Sequence, residues 1–151
     1  MRVLFVCAGN TCRSALAEAI ARARLDPGTE VAFESAGLYA LEGEPATPPA
    51  VEVGAEVGAD LRAHKAREVT RAMVEAADHI YVMSHSQAEA LDHMGADLAG
   101  KVSLLDPAGE DIADPYGGDL AAYRRAARRI TAAVEARLGE WQAAAGAGTG
   151  V

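Results

Sequence analysis

Val3-Leu4-Phe5-Val6 runs directly into Cys7-Ala8-Gly9-Asn10-Thr11-Cys12-Arg13-Ser14, and the reading of this stretch decides the fold. Its first four residues are apolar and β-favouring, which predicts a buried strand. Gly9-Asn10 stops that strand, and from Ser14 to Leu25 the residues Leu16, Ile20 and Ala23 recur at helical spacing. The stretch is therefore strand, tight loop, helix. Five residues separate Cys7 from Arg13 and Ser14 follows, so the loop reads C-x5-R-S and enters a helix N-terminus. A tight loop of this kind turns successive backbone N–H groups inward, and the helix behind it adds the positive end of its dipole. The product is a cup for a tetrahedral anion such as phosphate. Arg13 closes the cup with a planar fork whose charge is not lost at working pH. The same donors favour a thiolate at Cys7, which places a nucleophile at a strand's C-terminal end, where open parallel sheets bind their ligands.

Outward from this stretch, strand and helix signals alternate. Asp26-Pro27-Gly28 marks a turn, Val31 to Gly37 a short strand, and the prolines between Glu42 and Pro49 a loop before a helix near Ala50 to Val57. A loop through Gly58 to Arg67 leads to a helix opened by Thr70. His79 to Met83 predicts a buried strand, Ser84 the N-cap of a helix through Met94, and Val102 to Leu105 a fourth strand. A long polar loop from Asp106 to Gly118 precedes a helix capped by Asp119, whose Leu120, Tyr123, Ala127, Ile130, Val134 and Leu138 step by three and four. Trp141 is expected to anchor that helix. Such alternation implies right-handed crossovers and an α/β fold: a four-stranded parallel sheet flanked by helices on both faces, with the phosphate-binding loop after strand 1. Residues 1–142 are expected to form a single domain and 143–151 a flexible Ala/Gly tail.

Composition narrows the function. The chain has 151 residues, half of them hydrophobic but only 5% aromatic, and alanine supplies roughly a quarter. A net charge of −8 argues against binding to a phosphate backbone, so no nucleic acid partner is expected. No apolar run approaches the ~20 residues of a membrane span, and Met1 to Cys7 is too short for a secretory h-region, so neither a membrane partner nor export is expected. Cys7 and Cys12 are the two cysteines, and their spacing matches neither a fold-stabilising disulfide nor a C-x-x-C zinc site. That usage suits a reducing compartment, the cytoplasm. His79, His85 and His93 fit no compact ligand set, and neither a metal nor a cofactor is expected.

A phosphoryl transfer also needs a proton for the leaving group. Asp114-Pro115-Tyr116-Gly117-Gly118 is the candidate, because proline stiffens the position after the acid and the glycines let the loop bend back over the cup. Asp106-Pro107 is a rival dipeptide read as a turn. Tyr116 is expected to wall the pocket, and Tyr39 either does the same or covers the sheet.

Taken together, Val6-Cys7-x-Gly9-Asn10-x-Cys12-Arg13-Ser14, Ser35-Ala36-Gly37 and Asp114-Pro115-Tyr116 resemble the low-molecular-weight protein tyrosine phosphatase family over nearly the whole chain. The resemblance implies Cys7 as the nucleophile that forms a phosphocysteine, Arg13 as phosphate clamp and Ser14 as stabiliser of the thiolate. Asp114 becomes general acid, then general base toward water. Ala8, Gly9, Asn10, Thr11 and Cys12 line the phosphate, and Asn10 takes a left-handed conformation supported by Ser35 and His64. The partners implied are phosphorylated protein substrates. Threonine at position 11, the Tyr116-Gly117-Gly118 sequel, Ala46-Thr47-Pro48 and the missing aromatic near Leu41 are similar to the branch that acts on phosphoarginine. Phosphoarginine is therefore the preferred substrate, with phosphotyrosine the alternative and a non-enzymatic phosphate or redox sensor a second one. Arsenate reduction is disfavoured, since the chain lacks the third cysteine which that chemistry shuttles through. Ala15 stands where proline commonly follows the Arg-Ser pair, which loosens the helix start without removing a chemical group.

Cys12 either traps an oxidised Cys7 as a disulfide or is a small packing residue. If it traps, thiol treatment after peroxide restores phosphatase activity to the parent chain and fails to do so in Cys12→Ser. Equal recovery in both removes the redox role.

Overall fold

Strand β1 (Arg2–Cys7) lies between β2 (Ala32–Gly37) and β3 (His79–Val82), and β4 (Val102–Leu104) pairs with the far side of β3. All three pairings are parallel, with Phe5 opposite Ser35 on one side and Tyr81 on the other, and Cys7 opposite Gly37. The computed structural model describes residues 1–95, 98 and 100–149. Between the strands run α1 (Arg13–Arg24), α2 (Pro48–Glu56), α3 (Arg71–Ala76) and α4 (His85–Asp92), and α5 (Leu120–Thr149) follows β4.

The period-2 alternation of β1 divides the core in two. Val3, Phe5 and Cys7 join a cluster with Leu16 and Ile20 of α1, Val53 of α2, and Ile130, Val134 and Trp141 of α5. Leu4 and Val6 point the other way, against Val74 of α3 and Leu91 of α4. Both faces of the sheet are thus covered, which explains why β1 is a continuous apolar run. The sparse aromatics are concentrated in the first cluster. Trp141 is fully buried, with its ring edge-on to Phe5, Phe33 and Tyr81 at centroid distances of 5.9, 5.2 and 5.6 Å. Its Nε1 donates to the Tyr81 hydroxyl at 3.0 Å, and burial holds that phenol's pKa above its usual value. Trp141 therefore anchors α5 to the sheet, as the sequence leads one to expect.

Start signals act as read. Thr70 and Ser84 cap α3 and α4 through their hydroxyls, and Asp119 accepts from the Ala122 N–H at 2.9 Å. Helix α2 starts two residues earlier than expected, because Pro48 and Pro49 occupy its first turn, where a missing N–H costs no helical hydrogen bond. Helix α5 continues through residues 143–149, which the sequence suggests as a fraying tail; the alanines there are the strongest of helix formers. Gly150 and Val151 lie outside the described residues. No helix among the described residues is long and apolar enough to cross a membrane.

Strand order reverses at β1, since the chain steps to β2 on one side and then to β3 on the other. The crevice beyond the carboxyl ends of β1 and β3 is where such sheets bind ligands. The loop after β4 rises at the same end, so the sheet brings Cys7 and Asp114 to one edge. Trp141→Ala should lower the unfolding free energy by about 3–5 kcal/mol, read from urea unfolding, with Trp141→Phe losing less.

Candidate active site

Cys7 ends β1 and Arg13 opens α1, so residues 8–12 must reverse the chain within a single turn. That reversal depends on Asn10, the one non-glycine among the described residues with positive φ, at 56°. Its side chain and carbonyl are held at three points. Nδ2 donates to Ser14 Oγ at 2.8 Å, Oδ1 accepts from the Arg67 N–H at 3.0 Å, and the carbonyl accepts from His64 Nε2 at 2.6 Å. Asn10 is fully buried, which excludes water as a competitor for these bonds.

The loop leans on β2. Leu38 N–H donates to the Cys7 carbonyl at 2.9 Å and Tyr39 N–H to the Ala8 carbonyl at 2.8 Å. Gly37 faces the loop at a distance no side chain tolerates: a Cβ there would lie 2.6 Å from the Ala8 carbonyl oxygen and 2.9 Å from the Asn10 nitrogen. On the other flank, Thr47 N–H donates to the Thr11 carbonyl at 3.1 Å.

Cys7 Sγ sits at the floor. Ser14 Oγ is 2.9 Å from it and Ser14 N–H donates to it at 3.4 Å. Asn10 Nδ2 already donates to Ser14 Oγ, which leaves the hydroxyl proton two acceptors, the sulfur at 2.9 Å and the Ala36 carbonyl at 3.5 Å. Helix α1 has no side-chain cap, so its first-turn N–H groups and dipole serve the cup. Arg13 is almost wholly buried. Its Nη1 donates to the Ile112 carbonyl at 2.7 Å and its Nη2 lies 3.5 Å from Asp114 Oδ2.

Asp114 is shaped by the proline after it. Pro115 has no N–H, so Asp114 Oδ1 accepts the next one, from Tyr116, at 3.0 Å. Oδ2 is left facing Arg13, and the side chain is 49% exposed at the mouth of the pocket. Gly118 N–H closes the turn onto the Pro115 carbonyl at 2.8 Å, with Gly117 at φ 81°.

Cys7, Arg13 and Asp114 line a single cavity of about 540 Å³, together with Ala8, Gly9, Thr11, Cys12 and Tyr116. Tyr39, Leu41 and the stretch from Glu44 to Pro48 complete its walls. Tyr39 and Tyr116 stand 77% and 71% exposed at the mouth, so Tyr39 walls the pocket rather than covering the sheet. Asp106-Pro107 forms the expected turn outside the cavity, with Asp106 Oδ1 accepting from the Ala108 N–H at 2.8 Å. Ser35 supports the loop only indirectly: its hydroxyl bonds to Glu18, while its carbonyl accepts from Arg67 Nη2 at 3.4 Å.

The sequence profile of the family described as low molecular weight phosphotyrosine protein phosphatase matches residues 2–146. The chain belongs to this family. Within it, the "Probable low molecular weight protein-tyrosine-phosphatase EpsP" of Ralstonia nicotianae is 42% identical over 135 residues, covering 89% of this chain and 91% of that protein. The protein-arginine-phosphatase of Geobacillus stearothermophilus is 34% identical over 143 residues, covering 92% and 94%. Among solved structures, the YwlE arginine phosphatase from Geobacillus stearothermophilus superposes with a TM-score of 0.87 at 30% identity, covering 95% and 94% of the two chains. Wzb of Vibrio vulnificus in complex with benzylphosphonate superposes at 0.86 with 32% identity, covering 92% and 97%. Low molecular weight phosphatases of both substrate names are thus similar to this one, and the four-stranded parallel α/β fold with its loop after β1 is theirs.

Several supporting residues of this phosphatase carry no local sequence signal. Arg67, Glu18 and Ile112 are examples. Cys12 Sγ lies 3.4 Å from Thr47 Oγ1 and 3.5 Å from the Tyr123 hydroxyl. Desolvation first, then the Cys12 contact, pushes the Tyr123 phenol up to about 12. Of the supporting contacts, the one at Gly37 admits the simplest test. Gly37→Ala should lower phosphatase activity by about 100-fold or more while far-ultraviolet circular dichroism stays native, since a 1 Å displacement of the cup is enough to misplace the sulfur.

Proposed function

We propose that the protein hydrolyses phosphoarginine residues in proteins through a phosphocysteine intermediate, in the reducing setting of the cytoplasm that its two free thiols suit. The Cys7 thiolate attacks phosphorus and the P–N bond breaks, while Asp114 gives its proton to the departing guanidine nitrogen. The cup's N–H groups and Arg13 hold the phosphoryl oxygens through this step. Asp114, now a carboxylate, takes a proton from water as that water attacks phosphorus. The S–P bond then breaks and inorganic phosphate leaves. Ser14 beside Sγ favours the sulfur as an anion in both steps.

One observation carries the substrate choice: Thr11 and Asp114 line the same cavity as Cys7, so a hydroxyl and a carboxyl group, each with an acceptor oxygen, flank the place where the leaving group lies. A guanidine presents several N–H donors in one plane and needs such acceptors. Glu44 adds a further carboxylate at the wall. An aliphatic residue at position 11 has no acceptor to offer.

A second reading, phosphotyrosine, draws on the exposed rings of Tyr39 and Tyr116 at the mouth, which suit an aromatic leaving group. A non-enzymatic sensor has no need for the carboxylate that Asp114 brings to the cup. Peptides carrying phosphoarginine or phosphotyrosine at one position should separate the readings. The parent chain is expected to turn over phosphoarginine faster, and Thr11→Ile to lower that rate about 10-fold or more with little loss on phosphotyrosine. A parent preference for phosphotyrosine overturns the assignment, and no turnover of either, or of p-nitrophenyl phosphate under reducing conditions, revives the sensor.

A further inference from the structure

Residues 105–119 contain neither helix nor strand, yet they carry Asp114, and a proton donor must be held within about half an ångström of its working position. Three fixings precede Asp114 in the chain. Ile112 is buried, its N–H donates to the Met83 carbonyl at 2.8 Å, and its carbonyl accepts from Arg13. Asp111 Oδ1 accepts from the His85 N–H at 2.9 Å and from His85 Nδ1 at 2.7 Å, which holds that carboxyl below its usual pKa. The third fixing comes from α5. Arg129 Nη1 donates to the Asp111 carbonyl at 2.7 Å and Nη2 to Asp106 Oδ2 at 2.9 Å.

We propose that Arg129 is a positioning residue for Asp114, its guanidinium bridging Asp106 and the Asp111 carbonyl so that the loop delivers the carboxylate over the cup. The role rests on Asp114 being the proton donor of the reaction above. A planar fork suits the task, because its two N–H directions are fixed relative to each other and set the spacing between positions 106 and 111. The base of the fork is itself rigid: the next residue, Ile130, is fully buried in the core with Val134 and Trp141. Asp106 accepts twice, from Arg129 and from Ala108 N–H, so the near end of the arc is fixed too. Arg129 does not line the catalytic cavity and reaches the reaction only through the loop. It is also partly exposed, as is its carboxylate partner, and a pair of that kind contributes little to global stability. Its removal should therefore loosen the loop and leave the fold.

The test is the dependence of kcat/KM on the leaving group, which reports proton donation and which a general loss of structure does not change. Arg129→Gln, Arg129→Lys, Asp106→Asn and Asp114→Asn are compared on phenyl phosphate, whose leaving group needs a proton, and on 2,4-dinitrophenyl phosphate, whose leaving group does not. Arg129→Gln is expected to lose about 10-fold to 100-fold on phenyl phosphate and less than about threefold on the dinitrophenyl ester. Arg129→Lys should follow it, since one ammonium does not reproduce the fork, and Asp106→Asn should share the pattern at the other end of the bridge. Combining Arg129→Gln with Asp114→Asn should cost no more than Asp114→Asn alone. Equal losses on the two esters, or an additive double variant, overturn the positioning role. If Asp114→Asn itself lacks the leaving-group dependence, the donor assignment fails and the positioning role falls with it. If Asp114→Asn shows the dependence and neither Arg129→Gln nor Asp106→Asn does, only the positioning role is overturned.

Discussion

Everything the site does depends on the left-handed turn at Asn10. An L-residue with positive φ is disfavoured, and asparagine tolerates it better than most because its short polar side chain bonds locally. Here the penalty is offset by three hydrogen bonds that the fully buried Asn10 makes, to Ser14, Arg67 and His64. One of those partners, Ser14, also contacts Cys7 Sγ through its hydroxyl and its N–H, so the residue that helps hold the loop in shape also borders the sulfur. A loop so constrained is already in shape before any ligand arrives, which is what the proposed phosphoryl transfer asks of its donors.

Arg13 ties the cup to Asp114. One of its terminal nitrogens is committed to the Ile112 carbonyl and the other faces Asp114, so the guanidinium at the cup is itself fixed by the loop that carries Asp114. Cys7 and Asp114 lie more than a hundred residues apart in the chain, and α5 contacts the surroundings of both. Tyr123 near its start packs under the cup at Cys12, while Trp141 near its end seals the sheet beneath β1. Through Arg129 on the Asp111 carbonyl the same helix also reaches the loop that carries Asp114, so it braces both parts of the site as well as covering the core.

The mouth is apolar and aromatic above a polar floor, a common division in ligand sites: broad contact from rings, orientation from a few polar groups. Among the described residues, Tyr39, Leu41 and Tyr116 are the large hydrophobics that stay exposed, and all three stand at this rim. Such exposure suits a substrate side chain that arrives attached to a polypeptide.

Local pattern determined a great deal. The apolar run into Gly9-Asn10 and the helical spacing behind it are readable because a strand buried on both faces and an amphipathic helix impose periods on neighbouring residues. C-x5-R-S and Asp114-Pro115-Tyr116 are readable for a related reason, since the cup and the Asx turn are each made by a few consecutive residues. What tertiary structure alone decided are the contacts between groups far apart in the chain. Arg67 meets Asn10, Ile112 meets Arg13, and Gly37 touches the loop because β2 is in register with β1, none of which leaves a local period to read. Ser35 shows the limit: its motif marked it as support, but packing turned its hydroxyl to Glu18. The extent of α5 was likewise hidden, because an Ala/Gly stretch is compatible with either helix or coil and nothing local chooses between them.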